Sequence, residues 1–283
     1  MNSPLSGHFL PGPAGALATI VLDPPHGVSA SFGVLYLPPF GDEMNKSRRM
    51  AALAARAFAH LGASVALVDL RGTGDSEGEH GQATWEAWKA DAAFAWRWLC
   101  ERTPGPHVLW GLRLGGLLAA NLIADRAIDP AALLLWQPVT SGRVFFQQLL
   151  RLASAQRVTG GTDGASSANA AREALNSGRA VEVGGYDLHP ALVDGAERFD
   201  FAGLAPGCAV IWRETSIATP PELSPAARSL SGRWMASDAD LDIEAVAGPS
   251  FWVSAEIEEA PELIASTSQA LVTHLLPQRL RAS

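Results

Sequence analysis

The residues with the clearest chemical potential are one arginine and three glutamates, each of which follows a short apolar segment. Arg113 stands in the middle of the segment Gly-Leu-Arg-Leu-Gly-Gly, and Glu43, Glu214 and Glu256 follow other apolar segments. A guanidinium keeps its charge at any ordinary pH, so it is no nucleophile, but it binds carboxylates and phosphates through paired hydrogen bonds. Burying it without a partner is costly. We therefore expect Arg113 to pair with at least one of the three glutamates at the base of a pocket.

Apolar segments that alternate with helical patterns must position these residues. Predicted strands cover residues 18–22, 33–37, 64–68, 107–110, 131–136, 208–212 and 250–253, and predicted helices cover residues 45–61, 84–102, 114–123 and 261–276. Buried strands separated by helices indicate an α/β fold with a mostly parallel central sheet and helices on both faces. The third to sixth of these strands are expected near the centre of the sheet. In such sheets, ligands bind outside the carboxyl ends of the strands, which is the edge where Arg113 and the glutamates would lie.

One segment interrupts the alternation between strands and helices. Residues 137–206 are too many for an ordinary connection between a strand and the next. This segment begins with a helical pattern at 144–155, continues through a Gly/Ser/Thr/Ala-rich stretch at 159–169 that we expect to be mobile, and ends with a short strand pattern at 179–188 broken by two glycines. We interpret it as an inserted cap, here named the cap segment, on a core formed by residues 1–136 and 207–283. The cap segment should lie over the carboxyl edge of the sheet.

The composition narrows the classes of function. The chain has 283 residues and a net charge of −8, which argues against nucleic acid and anionic membranes as partners. The two cysteines are far apart and form no metal-spaced cluster, so neither a metal site nor a cofactor is expected. No stretch is long and apolar enough for a membrane span, and the N-terminus does not read as a signal peptide. We expect a soluble, cytoplasmic protein of undetermined oligomeric state.

Three motifs resemble those of the α/β-hydrolase superfamily, in the same order along the chain. Residues 37–43 read Leu-Pro-Pro-Phe-Gly-Asp-Glu directly after a predicted strand, and residues 69–78 read Asp-Leu-Arg-Gly-Thr-Gly-Asp-Ser-Glu-Gly. The segment of residues 111–116 has the strand-turn-helix context of a nucleophile elbow. The resemblance covers essentially the whole chain and implies the α/β-hydrolase fold.

The resemblance also implies an oxyanion hole, in which backbone N–H groups bind a negatively charged oxygen. Phe40 and Gly41 lie in the turn that donates one N–H group in such proteins, together with Glu43. Leu114, the residue after the centre of the elbow, would donate the other N–H group. These residues and Glu256 are therefore the candidates for the walls of the pocket.

Two members of the Ser-His-Asp triad are missing from the positions where this fold carries them. Arg113 occupies the position of the nucleophile, and residues 254–260, where the histidine is expected, contain none. Glu214 occupies the position of the acid but has no base to orient. The other histidines do not replace the missing base; His8, for example, is assigned to an N-terminal tail. Ser76 lies in the glycine turn, where a backbone-capping role is the simpler interpretation. The catalytic residues, if any, are thus unknown.

Within the superfamily, the chain most resembles the exosortase A system-associated hydrolases of the second type, which share the Pro-Pro-Phe-Gly-Asp-Glu turn. This resemblance implies a role in exopolysaccharide assembly or PEP-CTERM-type protein sorting. Three functions remain open: an enzyme in which a glutamate activates water beside Arg113, a degenerate hydrolase fold that binds a ligand or a partner protein, and a serine hydrolase rescued by an unusual residue. The expected ligand is a small molecule, either anionic or a saccharide, because Arg113 can donate two parallel hydrogen bonds.

Overall fold

The computed structural model describes residues 3–157, 164–237 and 239–275. Its centre is an eight-stranded sheet with the strand order β1-β2-β4-β3-β5-β6-β9-β10. The strands are β1 (Leu5–Gly12), β2 (Gly15–Leu22), β3 (Phe32–Leu37), β4 (Ala63–Val68), β5 (His107–Leu112), β6 (Ala132–Trp136), β9 (Ala209–Ser216) and β10 (Leu241–Ala247). Strands β4, β3, β5, β6, β9 and β10 run parallel, whereas β1 and β2 form an antiparallel hairpin at one edge.

The central strands are apolar on both faces because helices cover both faces of a parallel sheet. All six residues of β3 and all five of β6 are buried. The prediction of a mostly parallel sheet is therefore confirmed, and the four strands expected near its centre, β4, β5, β6 and β9, are adjacent or nearly adjacent there. His8, which we assigned to a tail, lies in β1, where its partner is Thr19.

The predicted last strand was wrong. Residues 250–253 begin with a turn, and the last strand is instead β10, which pairs with β9. Strand β10 is an edge strand whose polar residues Asp242 and Glu244 alternate with apolar ones, so it lacks the continuous apolar run that marks a central strand. Phe251 and Trp252 are buried as residues of the turn, and their apolar character imitated a strand.

Helices cover the two faces of the sheet separately. Helices α1 (Asp42–His60) and α8 (Pro261–Leu275) pack on one face, and α2 (Trp85–Arg102), α3 (Leu114–Ala124) and α7 (Pro225–Ala236) pack on the other. Helix α2 begins after Thr84, whose side chain accepts a hydrogen bond from the N–H of Ala87 at 3.1 Å. Helix α7 was not predicted.

The cap segment forms three helices and a small hairpin in the described residues. These elements are α4 (Gly142–Arg157), α5 (Gly164–Asn176), β7 (Val181–Val183), β8 (Tyr186–Leu188) and α6 (Pro190–Glu197). The predicted glycine break lies between β7 and β8, where Gly184 and Gly185 have positive φ angles of 59° and 85°. Of the stretch we expected to be mobile, residues 159–163 lie outside the described residues, and residues 164–169 belong to α5, an alanine-rich helix.

Candidate functional site

Arg113 lies at the sharp turn between β5 and α3, with a φ of 52° and a ψ of −117°. A non-glycine residue rarely adopts such angles, and such strain is concentrated at functional sites. The neighbouring glycines are required by close packing. A Cβ atom on Gly115 would overlap the carbonyl oxygen of Leu37, and one on Gly111 would overlap the backbone of Gly116. The geometry is that of a nucleophile elbow with arginine at its centre.

The guanidinium of Arg113 pairs with Glu43, the last residue of the segment 37–43 that was predicted to contribute to an oxyanion hole and is here named the oxyanion turn. Its Nη2 atom lies 3.1 Å from Glu43 Oε1, and its Nε atom lies 3.2 and 3.3 Å from the two carboxylate oxygens. Nη1 makes a longer contact of 3.4 Å with the carbonyl oxygen of Gln137, and the guanidinium carbon lies 5.4 Å from the centre of the Trp252 ring. The two side chains are 22% and 18% exposed, so the pair is largely buried yet reachable from solvent.

Burial controls the protonation of Glu43. Desolvation raises the pKa of its carboxyl group, and the neighbouring charge and hydrogen bonds of Arg113 offset part of that increase. The balance keeps the pKa above its ordinary value. Glu43 is therefore a better proton acceptor in the folded protein than an exposed glutamate.

The other two glutamates do not pair with Arg113. Glu214, at the position of the acid, is buried and accepts hydrogen bonds from the N–H and hydroxyl of Ser224, at 2.7 and 3.1 Å, and from Trp212 Nε1 at 3.3 Å. Ser224 is also the N-cap residue of α7, so the Glu214 carboxylate holds the start of this helix in place. Glu256 is exposed and makes no contact with Arg113.

No histidine of the described residues is hydrogen-bonded to Arg113, Glu43 or Glu214. The histidine nearest to the oxyanion turn is His80, whose ring centre lies 5.3 Å from that of Phe40. Its Nδ1 atom is 2.9 Å from the carbonyl oxygen of Asp187, so Nδ1 carries a proton and donates. His80 therefore lies beside Phe40 without a hydrogen bond to the Arg113–Glu43 pair.

The oxyanion turn and the elbow lie against each other. Gly115 approaches the carbonyl groups of Leu37 and Pro38, which start the turn that carries Phe40 and Gly41. Leu114 is the first residue of α3, so its N–H has no acceptor within the helix. The two segments that were predicted to form an oxyanion hole therefore lie side by side.

A cavity of about 190 Å³ opens beside Glu43. Its walls come from the oxyanion turn, from α4 and from the β7–β8 hairpin, and they include Phe40, Asp42, Phe145, Leu149, Leu152, Val183, Tyr186 and Val253. The cavity is therefore mainly apolar and aromatic, with carboxylates at one end. Sequence reasoning identified Phe40 and Glu43 but missed the contribution of α4, although the spacing of Phe145, Leu149 and Leu152 defines one face of a helix. It also missed Trp252.

Ser76, the remaining candidate hydroxyl, has a structural role. Its Oγ atom donates to the carbonyl oxygen of Asp69 at 2.6 Å and accepts from the N–H of Ala18 at 2.8 Å. The contact with Asp69 closes the glycine turn, the contact with Ala18 fastens it to β2, and the side chain is buried. Ser76 is not placed to act as a nucleophile.

Comparisons with known proteins support the fold. The family model described as serine aminopeptidase, S33, matches residues 44–168. The lysophosphatidylserine lipase ABHD12 of Danio rerio is 37% identical over 92 residues, which is 31% of this chain but only 23% of that protein. The chain thus corresponds to less than a quarter of the length of this relative. No helix in the part of the chain that the structure describes could cross a membrane.

Solved structures extend the likeness over nearly the whole chain. Est1E from Butyrivibrio proteoclasticus, solved with ferulic acid, is 13% identical with a TM-score of 0.65, over 94% of this chain and 98% of that one. A serine hydrolase without a lid from Xanthomonas campestris is 15% identical with a TM-score of 0.59, over 98% of both chains. Mouse α/β hydrolase domain-containing protein 10 is 17% identical with a TM-score of 0.55, over 95% of this chain and 99% of that one. The fold of the chain is therefore the α/β-hydrolase fold.

Proposed function

We propose that this protein binds a small anionic or saccharide ligand in the cavity beside Glu43 and does not catalyse hydrolysis through a serine. The observation that carries the proposal is the Arg113–Glu43 pair at the position of the nucleophile. A charged pair fills the space where a serine would attack, and no histidine in the described residues stands where the proton of a serine would go.

The pair provides a means of ligand recognition. The closest contacts of the Arg113 guanidinium are with the Glu43 carboxylate, and its Nη1 atom makes only a long contact, with the carbonyl oxygen of Gln137. A ligand carboxylate or a sugar hydroxyl pair can therefore take Nη1, or replace Glu43 altogether. The aromatic walls, including Phe40 and Tyr186, suit the apolar faces of a sugar ring or an acyl group. We expect the cap segment to act as the cover of this cavity.

The biological role that we propose is in exopolysaccharide assembly or PEP-CTERM-type sorting, within the cytoplasm. Its support is the resemblance of the Pro-Pro-Phe-Gly-Asp-Glu turn, whose last residue is the partner of Arg113. The two cysteines, Cys100 and Cys208, are both free, which fits a reducing compartment.

One observation favours a second function, hydrolysis without a covalent intermediate. Burial raises the pKa of Glu43, and the carboxyl group lies next to a cation and to the oxyanion turn. In this alternative, Glu43 accepts a proton from water while Arg113 and the N–H of Leu114 stabilise the negative charge that develops on the substrate.

A panel of probes separates these functions. We expect glucuronate to raise the melting temperature of the protein more than glucose does, because only glucuronate offers a carboxylate to Arg113. The variant Arg113→Gln should lose this difference, and Arg97→Gln, which changes an exposed arginine of α2, should retain it. Equal shifts with both sugars, or no shift with either, would contradict ligand recognition by Arg113.

Catalysis is tested on the same preparations. We expect no labelling by a fluorophosphonate probe and no turnover of p-nitrophenyl esters, and Arg113→Ser should not create an esterase. Fluorophosphonate labelling of a serine would support the serine hydrolase instead. Turnover without labelling, lost in Glu43→Gln, would support the hydrolysis through water.

A further inference from the structure

A second cavity lies on the other side of α1, away from the candidate site. It has a volume of about 230 Å³ and is enclosed between α1 and strands β1, β2 and β4. We name it the outer cavity. None of its lining residues lines the cavity beside Glu43. Its floor is apolar and includes Ile20 and Leu22 of β2, Leu67 of β4 and Ala52 of α1. Ile20 is 40% exposed, so this apolar floor is open to solvent.

The upper end of the outer cavity contains a phenol without a partner. Tyr36 is 5% exposed, and its ring packs against Trp110 with a centroid distance of 4.4 Å. Its hydroxyl group makes no hydrogen bond to any residue that the structure describes. Burial raises the pKa of Tyr36, so the hydroxyl remains protonated and available to donate. Tyr36 lines the outer cavity, so this hydroxyl is left to bond with water or a ligand there.

Beside this hydroxyl, the charges of Arg48 and Asp69 already neutralise each other. Arg48 Nη2 lies 3.2 Å from both carboxylate oxygens of Asp69, and the N–H of Asp75 donates to the same carboxylate at 3.1 Å. Asp75 is exposed and adds a negative charge at this end. The upper end therefore suits a neutral hydrogen-bonding group and disfavours an anion.

The lower end of the outer cavity offers a cation. Arg56 follows Arg48 by eight residues on the same helix, which places their Cα atoms about 12 Å apart along the axis. Its side chain makes one hydrogen bond, from Nη1 to the carbonyl oxygen of Ala52 at 3.3 Å, and no carboxylate among the described residues pairs with it. An anionic group bound here would face no competing acid.

We propose that the outer cavity is a binding site for an apolar chain with a carboxylate at one end and a hydroxyl at the other, as in an ω-hydroxy fatty acid. The carboxylate pairs with Arg56, the chain covers Ile20, Leu22 and Leu67, and the hydroxyl accepts from Tyr36. This site is separate from the Arg113 site and does not depend on its function.

The test is calorimetric titration of the full chain with ω-hydroxydecanoate and with decanoate. The wild type should bind the hydroxy acid more tightly. Tyr36→Phe removes only one oxygen and should weaken the hydroxy acid roughly fivefold while leaving decanoate unchanged. Arg56→Gln should weaken both roughly tenfold. Arg97→Gln, the matched exposed arginine on the opposite face of the sheet, should change neither.

A filling variant shows whether binding occurs in the outer cavity. Ala52→Phe projects a ring into the space and should abolish binding of both acids, with an unchanged circular dichroism spectrum. Should this variant unfold, Ile20→Gln on the opposite wall provides the same test and should weaken both acids. The proposal is overturned if the wild type shows no saturable binding of ω-hydroxydecanoate, if the filled cavity still binds it, or if Tyr36→Phe weakens both acids equally.

Discussion

Two arginines near the carboxyl edge of the sheet, Arg113 and Arg213, have the same chemistry and different surroundings. The Arg213 side chain is 4% exposed, whereas that of Arg113 is 22% exposed. Arg213 donates to the hydroxyl of Ser266 at 2.7 Å and to the backbone oxygen of Asp242 at 2.9 Å, and its Nη1 lies 2.9 Å from the Asp242 carboxylate. Arg113 is held mainly by Glu43.

The difference separates a structural charge from an accessible one. Arg213 joins β9, β10 and α8 through contacts on several sides, and little of it remains for a ligand. Arg113 keeps Nη1 nearly free, and its partner Glu43 lines a cavity. A guanidinium with unused N–H donors beside a cavity can bind a ligand. A guanidinium whose donors are all used instead links secondary-structure elements together. The predictions below test this distinction.

The largest effect is expected at Arg213. Arg213→Met keeps the aliphatic stem but removes a guanidinium that is only 4% exposed and that contacts both Ser266 and Asp242, and we expect a loss of about 3 kcal/mol in the free energy of unfolding. Urea denaturation at pH 7 measures it. A loss below about 1 kcal/mol would show that Arg213 does not link β9, β10 and α8 in a way that stabilises the fold.

A smaller loss is expected for the matched change at Arg113. Arg113→Met removes a guanidinium that is 22% exposed and is held mainly by Glu43, so fewer contacts are lost and we expect a loss of about 1.5 kcal/mol. The same urea titration applies. If Arg113→Met were as costly as Arg213→Met, Arg113 would be a structural residue and the binding proposal would lose its main support.

The contrast between the glutamates gives the next effect. Glu214→Gln weakens the contacts with Ser224 at the start of α7, for an expected loss of about 1 kcal/mol. The control is Glu256→Gln, an exposed change that should stay within about 0.5 kcal/mol of the wild type. Thermal unfolding of the two variants measures both. Equal melting temperatures would contradict a capping role for Glu214.

The smallest effect is a pair of opposite pH dependences. The pKa of Glu43 is raised in the folded state, so the stability it contributes is present below its unfolded pKa and is lost as pH rises through the folded one. The pKa of Asp242 is lowered, chiefly because Arg213 stabilises its charge against desolvation, so its contribution is lost as pH falls through the folded pKa.

The measurement is the free energy of unfolding between about pH 3 and 7, compared between the wild type and the two amide variants. Glu43→Gln should gain stability relative to the wild type as pH rises. Asp242→Asn should lose stability relative to the wild type over the same rise. The same sign in both variants would mean that Glu43 and Asp242 experience similar surroundings.

The sequence predicted the fold and the position of Arg113 because both depend on local patterns. Buried parallel strands show as continuous apolar runs, and the elbow shows as glycines around one residue. The edge strand β10 and helix α7 were not predicted, because their half-polar sequences resemble those of loops. The division into core and cap segment remains a prediction, as does the assignment of Phe40, Gly41, Glu43, Leu114 and Glu256 to a ligand site.

By itself, the sequence determined the α/β-hydrolase fold, with an arginine at the predicted position of the nucleophile and no histidine among residues 254–260. Only the tertiary structure decided that Glu43 is the partner of Arg113, that Glu214 instead caps α7, and that Trp252 lies against the guanidinium. The reason is physical. Local periodicity reports which face of an element is buried, whereas the choice among equivalent carboxylates depends on how separate strands and turns are packed together.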